Sequence, residues 1–427
     1  MLNTGNDLVR HRSRRRFLKE LAAVSSLALP TFLPRRVLGA SDTTAANERI
    51  NVALIGLGTR GRYLSSVISE QANLVAVCDC YSPRFDELAA RHQKQDGSAV
   101  TWNTYQNYDQ MFDREKLDAV VIATPDHGRV RPAIIACMLG LDVYAEKPLS
   151  FSVPEGRALV DAVNKYKRVL QVGTQQRSMD VNRYACRFVR EGGLGKVDTI
   201  LVRNMNSPRP VQGLAEEPIP EGLDWNRFCA QAPLLPYNQM LQFKWKNWQP
   251  LGGGIIADRG AHAIDQVHWA MGWDESGPIE LWPTTEAPQY WNRGVRMRYA
   301  DGTEVRFESS DGPDFGAIFI GQRGKVEINR NKFASNPVDL IPPATLEQND
   351  VPDHFRNWLE CIKTRTMPNA PAEVGHRAAS VAHLINVCRQ VGRRLRWNCQ
   401  AEQFVGDDEA NRLLVKPRRK EFALPIG

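Results

Sequence analysis

Short runs of consecutive apolar residues, separated by helical patterns, occupy the chain from residue 49 to residue 173. A continuous apolar run is typical of a parallel strand that helices cover on both faces. Because strands and helices alternate at this spacing, the pattern predicts βαβ units and a parallel sheet. The predicted strands are 52–55, 74–78, 118–123, 142–145 and 169–173, and the predicted helices include 84–95, 130–139 and 154–167.

From about residue 172 apolar and polar residues alternate instead. Alternation predicts a largely antiparallel sheet with one face solvated or used for association, and Asp301-Gly302 is a typical hairpin turn. We therefore divide the chain into domains 49–171 and 172–427. The predicted elements of the second domain are strands 199–203, 294–299, 304–307, 317–320 and 325–328, helices 181–190, 353–364 and 373–393, and an extended arm beyond Arg412.

A glycine-rich turn, GLGTRG from Gly56 to Gly61, follows the first predicted strand. Such a turn lets the backbone approach a pyrophosphate, which rests on the N–H groups of the following helix. The second strand ends at Asp79, where a carboxylate would bind the ribose hydroxyls of NAD and repel the 2′-phosphate of NADP, although Arg84 leaves NADP open. The alternative is a plain glycine turn, but strand, turn, helix and acid in this order favour a dinucleotide site.

Polar turns follow two further strands, Thr124 to His127 and Glu146 to Pro148. Because the carboxyl ends of parallel strands form the ligand crevice of an open sheet, both turns should face the cofactor. The sequence also permits a cis peptide bond before Pro148. The residues expected at the cofactor are Gly56, Gly58, Thr59, Arg60, Gly61, Asp79, Thr124, Pro125, His127, Glu146 and Lys147.

A second group of chemical residues, Asp258, His262 and Asp265, follows a triple glycine in the second domain. On a helix these three share a face, and two acids can orient an imidazole for proton transfer. A helix N-terminus with a structural, buried histidine explains the spacing equally well. A metal site that adds His268 is a third reading, but nothing else in the sequence supports it, and we expect no metal.

The first 40 residues have a different composition from the rest. Ser13 to Lys19 reads SRRRFLK and precedes a modest apolar stretch, 21–33, and a small-residue end. This resembles a twin-arginine export signal, residues 1–40, followed by a linker, 41–48, and the stretch is too short and polar for a permanent membrane anchor. The alternative, a basic arm for nucleic acid, fits an apolar segment poorly.

Charge and cysteine content limit the possible partners. The formal net charge is +7, but residues 1–40 hold eight Arg and Lys against two acids, which leaves +1 for the rest. We therefore expect no nucleic-acid partner. The eight cysteines form no C-x-x-C pair, so we expect free thiols, which suits a protein folded in the cytoplasm before export.

Five segments together, GLGTRG, ATPDH, AEKPLS, GTQQRS and GGGIIADRGAHAID, resemble the glucose-fructose oxidoreductase, inositol dehydrogenase and MocA (Gfo/Idh/MocA) family of NAD(P)-dependent enzymes. The resemblance runs from about residue 49 to the end. It implies an α/β fold: an N-terminal Rossmann domain, with a doubly wound parallel sheet, and a C-terminal α/β domain with an open sheet that commonly mediates dimers or tetramers. The family's catalytic residues correspond to Lys147, Asp258 and His262.

The resemblance leads to a specific mechanism. A secondary alcohol of a sugar or polyol would lose its hydroxyl proton to His262, or through it, while its hydride passes to the nicotinamide. Lys147 would hold the oxygen of the substrate, and Asp258 would keep the histidine or the substrate in position. Gly128-Arg129 and Arg259 depart from the family pattern and leave the substrate open. The residues suggested for sugar binding are Gln175, Gln176, Arg177, Trp225, Tyr237 and Asp265, with Trp245 and Trp248 as further aromatic residues before the same helix. The aromatic residues have an equally good explanation as core or subunit contacts.

Export would limit the reaction further. No free nicotinamide pool exists outside the cytoplasm, so a periplasmic or otherwise extracytoplasmic enzyme would carry tightly bound NAD, or NADP, and regenerate it in place. The alternatives to a dehydrogenase are a redox-neutral, NAD-dependent glycoside hydrolase, which oxidises, eliminates, adds and reduces, and a non-catalytic sugar-binding protein.

Overall fold

A computed structural model describes residues 49–92, 100–284 and 289–425 of the chain. The predicted export signal and linker, residues 1–48, lie outside the described residues. Within the described ranges no helix is long and apolar enough to cross a membrane. All eight cysteines are described and are free thiols, as predicted.

The first sheet of the described chain has six strands, all parallel, in the order β3-β2-β1-β4-β5-β6. This order places β1 and β4 side by side at the point where the winding reverses, which is where an open sheet binds its ligand. Its strands are β1 (Asn51–Ile55), β2 (Asn73–Cys78), β3 (Asn103–Tyr105), β4 (Ala119–Ile122), β5 (Asp142–Ala145) and β6 (Leu170–Val172). Its helices are α1 (Thr59–Gln71), α2 (Pro83–Ala89), α3 (Tyr108–Arg114), α4 (Val130–Met138) and α5 (Val153–Tyr166).

The central strands β4 and β5 are buried along their whole length, because helices cover both faces of the sheet. One side of the sheet packs on α4 and α5, and the other packs on α1. The continuous apolar runs of the sequence are thus explained by two-sided burial, and the predicted doubly wound sheet is confirmed.

A second sheet of nine strands follows in the described chain, in the order β13-β12-β11-β7-β10-β9-β8-β14-β15. Every neighbouring pair is antiparallel except β7 with β10, so the predicted largely antiparallel sheet is confirmed. Its strands are β7 (Val197–Val202), β8 (Glu280–Pro283), β9 (Val295–Arg298), β10 (Glu304–Phe307), β11 (Ala317–Gly321), β12 (Gly324–Asn329), β13 (Lys332–Asn336), β14 (Leu395–Asn398) and β15 (Gln403–Phe404). The helices from residue 180 onward are α6 (Asp180–Arg190), α7 (Trp225–Cys229), α8 (Gln239–Phe243), α9 (Gly254–Asp258), α10 (Gly260–Met271), α11 (Val351–Thr364), α12 (Ala372–Val391) and α13 (Asp408–Leu414).

One face of the second sheet packs on α6, α10 and α12 in a single apolar cluster. The other face carries ion pairs along neighbouring strands, including Arg296 with Glu308 at 2.8 Å and Arg306 with Glu304 at 2.6 Å. Alternate residues therefore serve two environments, which is why this half of the sequence alternates. The predicted hairpin turn at Asp301-Gly302 is confirmed, with Gly302 at φ +89°.

Helix α11 belongs to the core of the first sheet although it lies far along the chain. Its residues Phe355 and Trp358 are fully buried in one cluster with Val52 and Leu54 of β1. A domain boundary at residue 172 therefore separates the two sheets, but residues from both sides of it form the core of the first sheet. By its internal contacts, Ile50–Gly427 is one compact unit. The domain limits of residues 49–171 and 172–427 stay a prediction.

Candidate active site

The glycine turn after β1 is built so that only glycine fits at two of its positions. Gly56 has φ +92°, and a Cβ on Gly61 would lie 1.8 Å from the carbonyl oxygen of Gly56. Gly58 differs, because a Cβ there would meet nothing within 4 Å. Gly56 and Gly61 close the turn against α1, whereas Gly58 faces open space, where a ligand can approach the backbone.

A cavity of ≈350 Å³ runs along this turn. Gly56, Gly58, Thr59 and Arg60 line it, together with Asp79 and the Thr124–Gly128 turn. Backbone amides at the start of α1, an open glycine and a buried carboxylate at the end of β2 are the features that fit the phosphates and ribose of a dinucleotide. The second half of the chain closes the cavity with Phe228, Gln242, Trp245, Lys246 and Phe422.

Asp79 is held by two backbone amides, one guanidinium and, at 3.8 Å, the Cys80 thiol. It accepts hydrogen bonds from the amides of Leu57 at 2.6 Å and Tyr81 at 2.9 Å, and from the guanidinium of Arg84 at 3.0 Å. Because of Arg84, the sequence left NADP as an alternative to NAD. In the structure Arg84 is paired with Asp79, the carboxylate that disfavours NADP.

Lys147, at the carboxyl end of β5, is paired with Asp258 at the end of α9. Its ammonium group donates to the carboxylate at 2.7 Å and to the backbone carbonyl of the same residue at 2.9 Å. Lys246 donates to the second carboxylate oxygen at 2.7 Å. Burial alone would raise the pKa of Asp258, but the two ammonium groups outweigh it and hold that pKa well below the ordinary value.

His262 lies one turn beyond Asp258 and is 4 % exposed. Burial and the nearby cations Lys147 and Arg330 hold its pKa well below the ordinary value, so the imidazole is neutral near pH 7. Its Nε2 lies 3.5 Å from a guanidinium nitrogen of Arg330, and its Nδ1 has no hydrogen-bond partner among the described residues. A neutral ring with an unused nitrogen can accept or donate a proton.

Glu146, just after β5, lies against the start of α1 and the end of β6. It accepts a hydrogen bond of 2.6 Å from Arg60 at the start of α1, and a Cβ on Gly173 would lie 2.7 Å from its carboxylate. The peptide bond between Lys147 and Pro148 is cis, as the sequence permits. The two polar turns predicted to face the ligand, after β4 and after β5, meet because Arg129 donates to the carbonyls of Thr124 and Pro148.

A second cavity of ≈300 Å³ contains the lysine, aspartate and histidine. It shares Arg60, Ala123, Thr124 and Trp245 with the first cavity, so the two are neighbours with a common wall. A ligand along the glycine turn and a small molecule at Lys147 would therefore be adjacent.

Some of the residues suggested for the substrate lie elsewhere. Asp265 is seven residues from Asp258, which on a helix is the same face but ~10 Å farther along the axis. There it forms a buried ion pair with Arg177 at 2.9 Å, and Arg177 also pairs with Asp274 at 2.6 Å. Asp265 and Arg177 thus satisfy each other in the core, and neither lines the cavity.

Trp225 and Tyr237, two of the aromatic residues suggested for sugar stacking, are also core residues. Trp225 and Tyr237 are each 4 % exposed and pack against one another in an apolar cluster, with ring centroids 5.0 Å apart. Their polar atoms bond to Leu235 and Gln242. The structure therefore favours the packing alternative for both.

The remaining predicted residues divide between the cavities and their walls. Gln175 lines the second cavity, while Gln176 is buried and donates to the carbonyl of Phe315 at 2.8 Å. Pro125 and His127 line the first cavity, but both ring nitrogens of His127 lie within 2.7 Å of backbone carbonyls. Within the described ranges no group of three or more His, Cys, Asp or Glu side chains could hold a metal ion.

Several site residues were not predicted. Lys246, Phe315 and Arg330 come from loops and strand ends that carry no recognisable motif, whereas Trp245, one of the aromatic residues suggested for sugar stacking, lines both cavities. Arg129, noted only as a departure, is buried and donates to the carbonyls of Thr124 and Pro148, so it ties the two polar turns together. Only Arg129 had a sequence signal, as a charge beside a predicted ligand turn.

Two family models match the chain. One describes an oxidoreductase family NAD-binding Rossmann fold and matches residues 50–174, and the other describes an oxidoreductase family C-terminal alpha/beta domain and matches residues 209–424. The chain belongs to the Gfo/Idh/MocA family. The Rossmann domain of this Gfo/Idh/MocA protein is accordingly an NAD-binding domain, and the predicted family, fold class and cofactor are confirmed.

Individual Gfo/Idh/MocA relatives are distant. Levoglucosan dehydrogenase of Pseudarthrobacter phenanthrenivorans is 28% identical over 306 residues, 68% of this chain and 70% of the relative. The 2,7-anhydro-N-acetylneuraminate hydratase of Mediterraneibacter gnavus is 28% identical over 152 residues, 35% of this chain and 38% of the relative. Among solved structures, the WlbA dehydrogenase of Bordetella pertussis, in complex with NADH and UDP-GlcNAcA, superposes with a TM-score of 0.59 at 16% identity, over 82% of this chain and 99% of that one. This likeness supports the fold alone.

Proposed function

We propose that this protein transfers a hydride between NAD and a secondary alcohol of a sugar or polyol. The observation that carries the proposal is the group Lys147, Asp258 and His262 in a cavity that shares a wall with the cofactor cavity. Hydride exchange at the nicotinamide ring is the chemistry that bound NAD supplies. The relative named levoglucosan dehydrogenase supports a sugar as the substrate.

Lys147 holds the reacting oxygen. An ammonium group has three donors, and Asp258 accepts two of them through its carboxylate and its carbonyl. The third donor is left for a substrate oxygen, where it stabilises the negative charge that develops as the hydroxyl proton leaves. Asp258 fixes the direction of that donor.

His262 moves the proton. Its neutral ring can take a proton from the substrate hydroxyl, but the surrounding cations disfavour a lasting imidazolium. The proton therefore passes through His262 to solvent water in the cavity and does not stay on the ring.

Two variants test this assignment. We expect Lys147→Met and His262→Ala to bind NAD as the wild type does while kcat falls by about 10²–10⁴-fold, because each loses its contact with the reacting hydroxyl. Lys165→Met, an exposed lysine on α5, is the matched control and should keep full activity. Full activity in both site variants would show that the reaction occurs elsewhere.

A redox-neutral lyase or glycoside hydrolase is the second candidate. The hydratase relative supports it, because that name denotes a reaction without net oxidation, and a neutral base beside an ammonium group suits proton abstraction next to a transient ketone. Release of sugar from an aryl glycoside without added NAD favours this candidate, whereas steady accumulation of NADH from a free polyol favours the dehydrogenase. A non-catalytic sugar-binding protein would bind sugar and leave the cofactor unchanged.

Location and assembly complete the proposal. The twin-arginine segment supports export through the twin-arginine machinery to the periplasm, with NAD carried tightly bound. The open face of the second sheet supports a homodimer or homotetramer. Cell fractionation tests the first, since a cytoplasmic protein would exclude export, and light scattering of the purified protein tests the second.

A further inference from the structure

The cavity around Lys147 carries more positive than negative charge. Two carboxylates, Glu146 and Asp258, line it, whereas its cationic lining residues are Arg60, Arg129, Lys147, Arg259 and Arg330. A cavity with this excess attracts anions and disfavours a cationic ligand.

Three of these cations have partners in the protein. Arg60 is paired with Glu146, and Lys147 shares Asp258 with Lys246. Arg129 lies 3.7 Å from Asp126. Their charges hold the site together, so the excess resides mainly in the remaining two guanidinium groups.

Arg330 is the more enclosed of those two. It follows the last residue of β12, its guanidinium carbon lies 4.2 Å from the ring centroid of Phe315, and it is half-buried. Among the described residues no carboxylate oxygen lies within 4.0 Å of it, and its Nε has no hydrogen-bond partner. Arg259, by contrast, is exposed. The buried Nε is an unsatisfied donor, and a ligand that displaces water from the cavity has to supply acceptors for the guanidinium.

The position of Arg330 connects it to the reacting group. One of its terminal nitrogens lies 3.5 Å from Nε2 of His262, and Gln175 lies beside it, within 3.3 Å in the amide orientation that satisfies both of its polar atoms. An anion on Arg330 would therefore lie next to the imidazole. A guanidinium edge pairs in two parallel hydrogen bonds with a planar carboxylate.

We propose that the substrate is a sugar acid, whose carboxylate binds Arg330 while a ring hydroxyl reaches Lys147 and His262. The inference rests on the proposed function and names its substrate class. The cavity, at ≈300 Å³, is at the small end of small-molecule sites, which favours a single sugar unit. The carboxylate supplies the direct ion-pair partner that Arg330 lacks among the described residues, where Asp350 and Glu146 act on it only at longer range.

Calorimetric titration of the NAD-loaded protein with matched pairs tests the inference: glucose and glucuronate, galactose and galacturonate, mannose and mannuronate. We expect at least one acid to bind about tenfold or more tightly than its neutral parent, with the preference weakened by added salt. A preference for no acid in the three pairs overturns the inference. Glucose 6-phosphate is tested in the same way. If it binds more tightly than every uronate, the assignment of a carboxylate as the group that Arg330 recognises is overturned.

Two substitutions of Arg330 and one control at the other end of β12 make the test specific. Arg330→Gln should lose the preference for the acid and keep its melting temperature and NAD affinity, and Arg330→Lys should restore part of the preference. Arg323→Gln, an exposed arginine just before β12, is the matched control and should keep the full preference. Equal preference in Arg330→Gln and the control overturns the assignment of Arg330.

The two proposals fail in different ways. Reduction of NAD by neutral sugars, without any preference for acids, overturns the sugar-acid inference and leaves the proposed function intact. An acid that binds through Arg330 but never exchanges hydride with the cofactor overturns the proposed function.

Discussion

Two lysines bind opposite oxygens of the Asp258 carboxylate, and they differ in what else they can do. Lys147 also contacts the carbonyl of Asp258 and lines the substrate cavity, whereas Lys246 comes from the loop that closes the cofactor cavity. Lys147 is placed to touch the reacting hydroxyl, and Lys246 acts through Asp258.

Substitution of Lys246 tests this division. In Lys246→Met we expect kcat to fall by about tenfold, less than in Lys147→Met, because Asp258 keeps one ammonium partner and its pKa rises but stays low. Single-turnover rates of the two variants, both saturated with NAD, give the comparison. A loss in Lys246→Met equal to that in Lys147→Met would contradict the division.

The residues at the centre of the site could be predicted from local sequence. Lys147 lies just after a strand whose carboxyl end must face the crevice, and Asp258 and His262 are one helical turn apart. Asp265 has the same helical face but belongs to the core, because spacing fixes direction and not depth. Arg330 could not be predicted, since only the pairing of β12 with β11 brings it to the histidine.

At the scale of elements, the tight contact between β1 and α1 depends on the absence of side chains. Gly61 approaches the carbonyl of Gly56, and this contact positions the first amides of α1 along the cofactor cavity. Strand, turn and helix were predictable here because all their determinants are local.

Two glycine substitutions separate folding from cofactor binding. Gly61→Ala should lower the melting temperature and abolish NAD binding, because its methyl group would overlap the Gly56 carbonyl at 1.8 Å. Gly58→Ala should keep the melting temperature, since its methyl group meets no protein atom within 4 Å, and should weaken NAD binding by occupying the cavity. Scanning calorimetry and NAD titration check both, and equal melting temperatures would contradict the account of Gly61.

Elements without a strong local pattern were the ones that the sequence did not reveal. Strand β3 has only three residues, none of them buried, and it forms because β2 offers it an edge. Helix α2 ends at Ala89, inside the predicted span 84–95, and residues 93–99 lie outside the described ranges. Tertiary pairing decides such short elements.

At the scale of the whole molecule, the folded state holds several histidines in neutral form. Burial lowers the pKa of His268 and His354 to about 4 and that of His383 to about 3. In the unfolded chain each would titrate near pH ~6.5. The unfolded state therefore binds more protons between about pH 4 and pH 6.5, and stability falls as the pH is lowered through that window.

The expected slope can be measured by urea unfolding at several pH values. Each buried histidine contributes ~1.4 kcal/mol per pH unit below pH ~6.5. Burial raises the pKa of Asp126 and that of Asp265 to about 6. The folded state therefore binds their protons below that pH, which partly offsets the loss of stability caused by the histidines. The net slope should decrease in His268→Gln by about the contribution of one histidine, and a stability independent of pH would contradict the account.

The carboxyl-terminal arm, residues 415–425, closes the cofactor cavity from outside. Arg419 donates to the carbonyls of Ala230 at 2.9 Å and Asn226 at 2.7 Å, and Phe422 is buried in the cavity wall. The arm was predicted only as an extended segment, because its docking site is formed by residues about two hundred positions earlier.

Truncation of the arm should speed NAD release. A chain that ends at Val415 loses Arg419 and Phe422, and we expect NADH to dissociate on the order of tenfold faster, followed by the change in its fluorescence. A chain that ends at Phe422 keeps both contacts and serves as the control. Equal release rates from the two would show that the arm does not retain the cofactor.

Transfer of a labelled hydride tests the central claim most directly. The NAD-loaded protein is incubated with sugars and sugar acids deuterated at their carbinol carbons, and the cofactor is then analysed by mass spectrometry. The account predicts deuterium on the nicotinamide ring with wild-type protein and with Lys165→Met, and its loss in Lys147→Met. An unlabelled cofactor after incubation with every sugar would contradict the account.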